Sequence, residues 1–300
     1  MIETKRDLQD VVSIADRNVE TLIRQRVAEA FAADGFLGEE CGYQEGQSVL
    51  TWVVDPIDGT APFVNGMPTW CVSITVLHCG VPVIAVIHVP CYDELYAAAA
   101  GMGANLNGKK LSLDPSRNLQ NSMTGIGCNS YVAPERMGSI VSAVLGEGGN
   151  FIRNGSGALM LAYVAAGRLV GYYEPYMRAS DCMAGYCLVK EAGGTHLPFP
   201  AEGEGLLQGH PVLASNQTVY TDLWQSILVA WPSPPDAGLR KPAQCATRLA
   251  TVYSAGIPYF KQKPRSARSS SSTSPRPAFL PKLHMVCALS ITVADFHSNI

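Results

Sequence analysis

Nine cysteines occur in 300 residues, yet no two stand in the C-x-x-C spacing of a zinc site. Cys182 and Cys187 lie in an apolar, helix-like stretch and read as buried thiols. The start has no basic segment followed by an apolar run, so no secretory signal is expected. The most apolar window, Val72 to Val89, is broken by His78, Gly80, Pro82 and His88, and predicts two strands and a turn rather than a membrane span. These absences point to a reducing, cytoplasmic setting with no membrane partner. Charge is also scarce, at 16% of residues. Residues 1–232 carry 13 Lys+Arg against 23 Asp+Glu, which argues against a basic nucleic-acid face and suits a cation site.

Residues 233–300 differ, with nine Lys+Arg, two Asp+Glu and eight prolines. Their Ser-rich run and lack of periodicity predict a disordered tail without catalytic function. The remainder, 1–232, is expected to form two αβ halves, about 1–120 and 121–232. The first is strand-rich around 72–76, 83–87 and 94–98. The second alternates strands and helices, including strand 123–127 and helix 137–145.

The chain is organised around Trp52-Val53-Val54-Asp55-Pro56-Ile57-Asp58-Gly59-Thr60. Three β-formers lead into two carboxylates three residues apart, close enough to grip one cation. Pro56 has no N–H and is expected to stop the strand ladder beside Asp55. Gly59 permits close backbone approach to a ligand, Thr60 adds a hydroxyl, and a helix beginning here would turn free N–H groups toward an anion. Asp-Pro and Asp-Gly are also ordinary turn dipeptides, so other segments must supply partners.

The full stretch resembles the W-x-x-D-P-[IL]-D-G-T motif of the inositol monophosphatase family. Val12 to Asp16 is similar to its V-T-x-x-D entry, Gly38-Glu39-Glu40 to its G-E-E, Gly101 to Gly108 to its G-x-G-A-x-x-N-G hairpin, and Asp181-Cys182-Met183-Ala184-Gly185 to its second aspartate motif. The family's tryptophan before that second aspartate is Ser180 here. The resemblance covers about residues 3–231. It implies a further long helix before the Lys5 region, which this sequence does not show.

The fold implied is a layered αβαβα sandwich. The implied activity is Mg²⁺-dependent, Li⁺-sensitive hydrolysis of a phosphate monoester, inositol 1-phosphate first, with two or three ions and a homodimeric enzyme. Bisphosphorylated nucleotides, histidinol phosphate and fructose 1,6-bisphosphate are the alternative substrates, and a non-catalytic family member is the rival from another class. Carried onto this sequence, the resemblance assigns metal contacts to Glu40, Asp55, the Ile57 carbonyl, Asp58 and Asp181. Glu39 is read as a neighbour of Glu40. Glu40 and Thr60 position the attacking water, and Asp16 orients the Thr60 hydroxyl. Gly59, Thr60 and Lys5 face the phosphate. Gly155, Ser156 and Glu174 meet the alcohol portion, and Arg178 sits where specificity varies. Taken alone, Asp16 and Asp181 would read as plain helix N-caps.

Overall fold

The structure, a computed structural model, describes residues 2–4, 11–201, 203–230 and 282–289. Strands β1 (Ile2–Thr4) and β2 (Val11–Ser13) form a short antiparallel pair leading into helix α1 (Ile14–Ala30). Next come β3 (Gly35–Gly38), β4 (Gly42–Gln44), β5 (Leu50–Asp58), the one-turn helix α2 (Thr60–Val64), β6 (Cys71–His78), β7 (Val81–Val89), β8 (Glu94–Ala99), β9 (Gly103–Leu106) and β10 (Lys109–Lys110). Strands β3 to β10 make one sheet in the order β10-β9-β8-β7-β6-β5-β3-β4. All its pairings are antiparallel except β3 with β5.

The second half runs β11 (Met123–Ile126), α3 (Pro134–Gly146), β12 (Asn150–Ile152), α4 (Gly157–Ala165), β13 (Gly171–Met177), α5 (Ala179–Glu191), β14 (Thr195–His196), α6 (Glu204–Leu207), β15 (His210–Ser215) and α7 (Tyr220–Ala230). Its sheet has the order β12-β11-β13-β15-β14, parallel around β11 and antiparallel around β15.

Side-chain alternation along β5 separates the layers. Trp52 and Val54 pack outward with Val19, Ile23 and Val27 of α1. Val53 packs inward with Leu159 and Leu161 of α4 and with Leu188 and Val189 of α5. The same inner cluster takes in Tyr172 and Val212 from the second sheet. On that sheet's far side, Tyr173 and Leu213 meet Ile140 and Val144 of α3 and Leu223 and Ile227 of α7. Helix, sheet, helix, sheet and helix follow in order, as the resemblance implied.

Two local expectations are corrected. Pro56 does not end the ladder, because β5 continues to Asp58 across a register shift between Asp55 and Asp58. The missing Pro56 N–H is accommodated at that irregularity. Asp181 is not an N-cap. It is the third residue of α5, and Arg178 is the cap.

The expected disordered tail lies largely outside the described residues, with one exception. Residues 282–289 are helical and add Val286 and Leu289 to the outer cluster around Trp52 and α1. Lys282 pairs with Asp34 and lies 3.8 Å above the Phe31 ring, which itself stacks on Trp52. Asp34 also accepts from Trp52 Nε1 at 2.9 Å and Ser48 Oγ at 2.7 Å. An acid shared by Trp52, Ser48 and Lys282, together with the apolar face around Val286, seats this segment against α1 and β5.

Val286 is fully buried, so Val286→Ala should cost about 2 kcal/mol of stability in urea denaturation. An unchanged midpoint would show that 282–289 does not seat there in solution.

Candidate active site

The site forms where the end of β5, the turn after β3 and the first turns of α4 and α5 meet. Asp55 is 2% exposed and Asp58 8%. Asp55 Oδ1 accepts the Ile57 N–H at 3.0 Å. Asp58 Oδ2 accepts the Ala158 N–H at 2.7 Å and the Ser156 hydroxyl. Ser156 caps α4, its Oγ also accepting from Leu159 N at 3.2 Å. The Cys71 thiol lies 3.8 Å from Asp58 Oδ2. Asp181 Oδ2 accepts the Arg178 N–H at 3.1 Å, and its Oδ1 accepts the Ser180 hydroxyl at 2.5 Å.

Gly59 is required by space and by torsion. Its φ is 94°, and an added Cβ would lie 3.0 Å from both Ser156 Cβ and the Thr69 carbonyl oxygen. It caps α2 and delivers Thr60. The Thr60 hydroxyl lies 3.3 Å from Asp16 Oδ1 and 3.1 Å from the Ile57 carbonyl oxygen. Asp16 is fully buried in the first turn of α1. The expected Asp16–Thr60 pair is therefore present.

The glutamate assignment changes. Glu39, not Glu40, faces the aspartates: its charge bears on Asp55, Asp58 and Asp181, and it lines the same cavity as Asp58 and Asp181. The cause is Glu20, which is fully buried on α1. Its carboxylate accepts the Glu40 N–H at 2.7 Å and the Cys41 N–H at 2.9 Å, and it pairs with Arg24 at 3.5 Å. A Cβ on Gly38 would fall 2.0 Å from Glu20 Oε1, so only glycine leaves room for this clamp. The two glutamates lie in the turn after β3, and the clamp on the Glu40 and Cys41 N–H groups fixes that turn with Glu39 toward the aspartates. Neither residue type nor local spacing distinguished the two acids; the signal lay in Gly38 and in Glu20, twenty residues before Glu40.

A cavity of about 640 Å³ opens over these groups, lined among others by Asn129, Arg153, Gly155, Ser156, Glu174 and Arg178. Glu174 Oε1 accepts Asn129 Nδ2 at 2.9 Å, and Oε2 accepts the Tyr172 hydroxyl. Asn129 also donates to the Tyr176 carbonyl at 2.7 Å. Gly155 has φ 91°, and a Cβ there would meet Pro62 at 2.7 Å. Ser156, expected to touch substrate, spends its hydroxyl on Asp58 instead. Asn129 and Tyr172 were not foreseen from sequence: Asn129 reaches Glu174 from 45 residues away, while Tyr172 stands two residues before it on the same face of β13, a spacing that strand alternation could have signalled. Lys5 lies outside the described residues.

Electrostatically the site is a nest of repelling acids. Burial, then the charges of Glu39, Asp58 and Asp181, hold Asp55 far above the usual carboxylate range. Burial and the Asp181 charge raise Asp58 to about 7, against the hydrogen bonds from Ser156 and Ala158. Burial and Glu39 raise Asp181 to about 6, and burial with the Asp181 charge raises Glu174 to about 7.

Among the described residues no group of three His, Cys, Asp or Glu side chains stands ready to hold a metal ion. The donor chemistry still fits one: the inward side chains are oxygen donors that repel one another, which a hard divalent cation relieves. Glu39, Asp55, Asp58, Asp181 and the Ile57 carbonyl are the groups available, and the carboxylates must draw together to share an ion.

A profile described as the inositol monophosphatase family matches residues 1–228. The chain belongs to the inositol monophosphatase family. It is 37% identical over 221 residues to an inositol-1-monophosphatase of Mesorhizobium japonicum, covering 73% of this chain and 83% of that one. It is 33% identical over 220 residues to the Nus factor SuhB of Haemophilus influenzae, covering 72% and 82%. Among solved structures, the suhB extragenic suppressor protein of Bartonella henselae superposes with a TM-score of 0.70 at 31% identity, covering 76% of this chain and 88% of that one. Family and fold together make this a metal-dependent phosphatase.

Two expectations test the geometry. Glu20→Ala frees the Glu40 and Cys41 N–H groups and should cut phosphatase activity more than about tenfold by releasing Glu39; wild-type activity in that variant would remove Glu20 from the account. The second concerns pH. Asp58, Asp181 and Glu174 titrate near 6 to 7 when folded and near 4 when unfolded. The folded, cation-free chain therefore binds more protons between about pH 4 and 7, and these groups lower stability as pH rises through that window. The melting-temperature gain from Mg²⁺ over EDTA should accordingly be larger at pH 7.5 than at pH 5. An equal or reversed gain would contradict the shifts.

Proposed function

We propose that the protein hydrolyses a small phosphate monoester, with inositol 1-phosphate the first candidate, using Mg²⁺ held by Glu39, Asp55, Asp58, Asp181 and the Ile57 carbonyl. The observation that carries this reading is the convergence of carboxylates from three separate segments beside one cavity. The oxygen-only set favours Mg²⁺ over Zn²⁺, in two or three ions as the family resemblance implies. Bound there, the cation neutralises phosphoryl charge and acidifies the attacking water.

The chain's own groups do the rest. Thr60, set by Asp16, orients the attacking water, and Glu39 accepts its proton. The Gly59 and Thr60 N–H groups meet the phosphate. Glu174 receives a hydroxyl of the alcohol portion, since Asn129 and Tyr172 already fix its two oxygens in place. Gly155 keeps the cavity wall low beside Pro62. Ser156 serves by holding Asp58. Arg178, half-buried near Asp181 and Glu39, is placed to favour substrates with a second anionic group, so bisphosphorylated nucleotides, histidinol phosphate and fructose 1,6-bisphosphate belong in the substrate panel. Li⁺ inhibition and a homodimer are further expectations of the same reading.

A protein acting only as a partner subunit has no use for buried acids that repel one another. The acids favour catalysis over that alternative.

Phosphate release from inositol 1-phosphate with Mg²⁺ tests the proposal. Glu39→Gln and Asp181→Asn should each lose more than about 100-fold in kcat/KM, whereas Glu40→Gln stays within a few-fold of wild type. No release from any monoester of the panel would overturn the catalytic reading. Loss in Glu40→Gln with retention in Glu39→Gln would restore Glu40 to the inner position.

A further inference from the structure

We propose that Ser180 is a positioning residue for Asp181. The proposal rests on the reading above, that Asp181 helps hold a divalent cation. Ser180 is 3% exposed and is the second residue of α5. Its hydroxyl donates to Asp181 Oδ1 at 2.5 Å. Its carbonyl accepts the Ser73 hydroxyl at 3.1 Å. Ser73 is fully buried on β6, the strand paired with β5. Ser180 is thus tied at its backbone carbonyl to the strand beside β5 and at its hydroxyl to Asp181.

The geometry explains what this achieves. Asp181 accepts one donor on each oxygen: Ser180 on Oδ1, and the Arg178 N–H on Oδ2. Two donors on opposite oxygens fix the plane of the carboxylate. Each oxygen retains a second lone pair, so both stay able to ligate. The hydroxyl dipole also offsets the negative potential of Glu39 and Asp58 at no cost in net charge. The tryptophan of the family motif carries its one side-chain donor at the far edge of the indole ring, whereas the serine hydroxyl sits directly on Cβ. Serine here exchanges bulk beside the ligand for a direct bond to it, and the Ser73 tie keeps that bond in register with the sheet that carries Asp55 and Asp58.

Partners that orient a metal ligand typically contribute about 10–100-fold in metal affinity. The test is direct Mn²⁺ binding to the full chain by titration calorimetry, with melting temperatures in EDTA as a fold control. Ser180→Ala should raise the Mn²⁺ Kd by about tenfold or more, with little change in the EDTA melting temperature. Ser180→Thr keeps the hydroxyl and should bind close to wild type. Ser180→Cys keeps the volume with a weak donor and should bind less tightly, which preserves the test if the alanine variant does not fold. Wild-type affinity in the folded alanine or cysteine variant overturns the proposal. Failure of the wild-type protein itself to bind Mn²⁺ overturns the underlying metal reading, a separate result.

Discussion

Crowding of buried carboxylates is the constraint around which the molecule is built. Asp55, Asp58 and Asp181 are driven together by apolar layers that would pack as well around neutral side chains. Burial first, and then the charges of neighbouring acids, move their titration toward neutrality. The chain offsets this crowding locally, with a backbone N–H for each aspartate and a hydroxyl for Asp58 and Asp181. Those bonds fix orientation but supply no positive charge. An incoming cation supplies what the hydrogen bonds lack, which couples ligand binding to stability as well as to catalysis.

The layers and the site depend on each other through β5. Its alternation sends Trp52 and Val54 to the α1 side and Val53 to the α4 and α5 side. The same strand therefore registers α1, which brings Asp16 and Glu20, against α4 and α5, which bring Ser156 and Asp181. An error of one residue in that strand would exchange both faces at once. The irregularity between Asp55 and Asp58 then lets two carboxylates three residues apart serve one site.

Much of this was legible in the sequence where chemistry is local. The β-formers before Asp55, the glycine before Thr60 and the period of α1 each have a cause within a few residues, and the structure places them as read. The Asp16–Thr60 pair was accessible only through the family resemblance, since 44 residues separate its members. What sequence could not settle were choices made by distant contacts. Glu39 and Glu40 are chemically identical neighbours, and Glu20 with Gly38 selects between them. Ser156 looked like a substrate contact because nothing in Gly155-Ser156-Gly157 reveals that Asp58 takes its hydroxyl. Residues 282–289 were read with the disordered tail around them, because their partners, Asp34 and Phe31, lie some 250 residues away and the short apolar run Leu283 to Leu289 does not show where it seats.

The same logic separates the parts of the site by role. The cation side is built from short, rigid contacts between elements of both halves, so small displacements there alter charge as well as geometry. The cavity side is more open: Glu174 is held by Asn129 and Tyr172, while Arg153 and Arg178 border a cavity of about 640 Å³. Hydrolysis requires the first side to be invariant in geometry but leaves the second free to differ in the alcohol it accepts. On the proposed reading, that division puts substrate choice in the cavity wall, with Arg153 and Arg178, rather than in the aspartates.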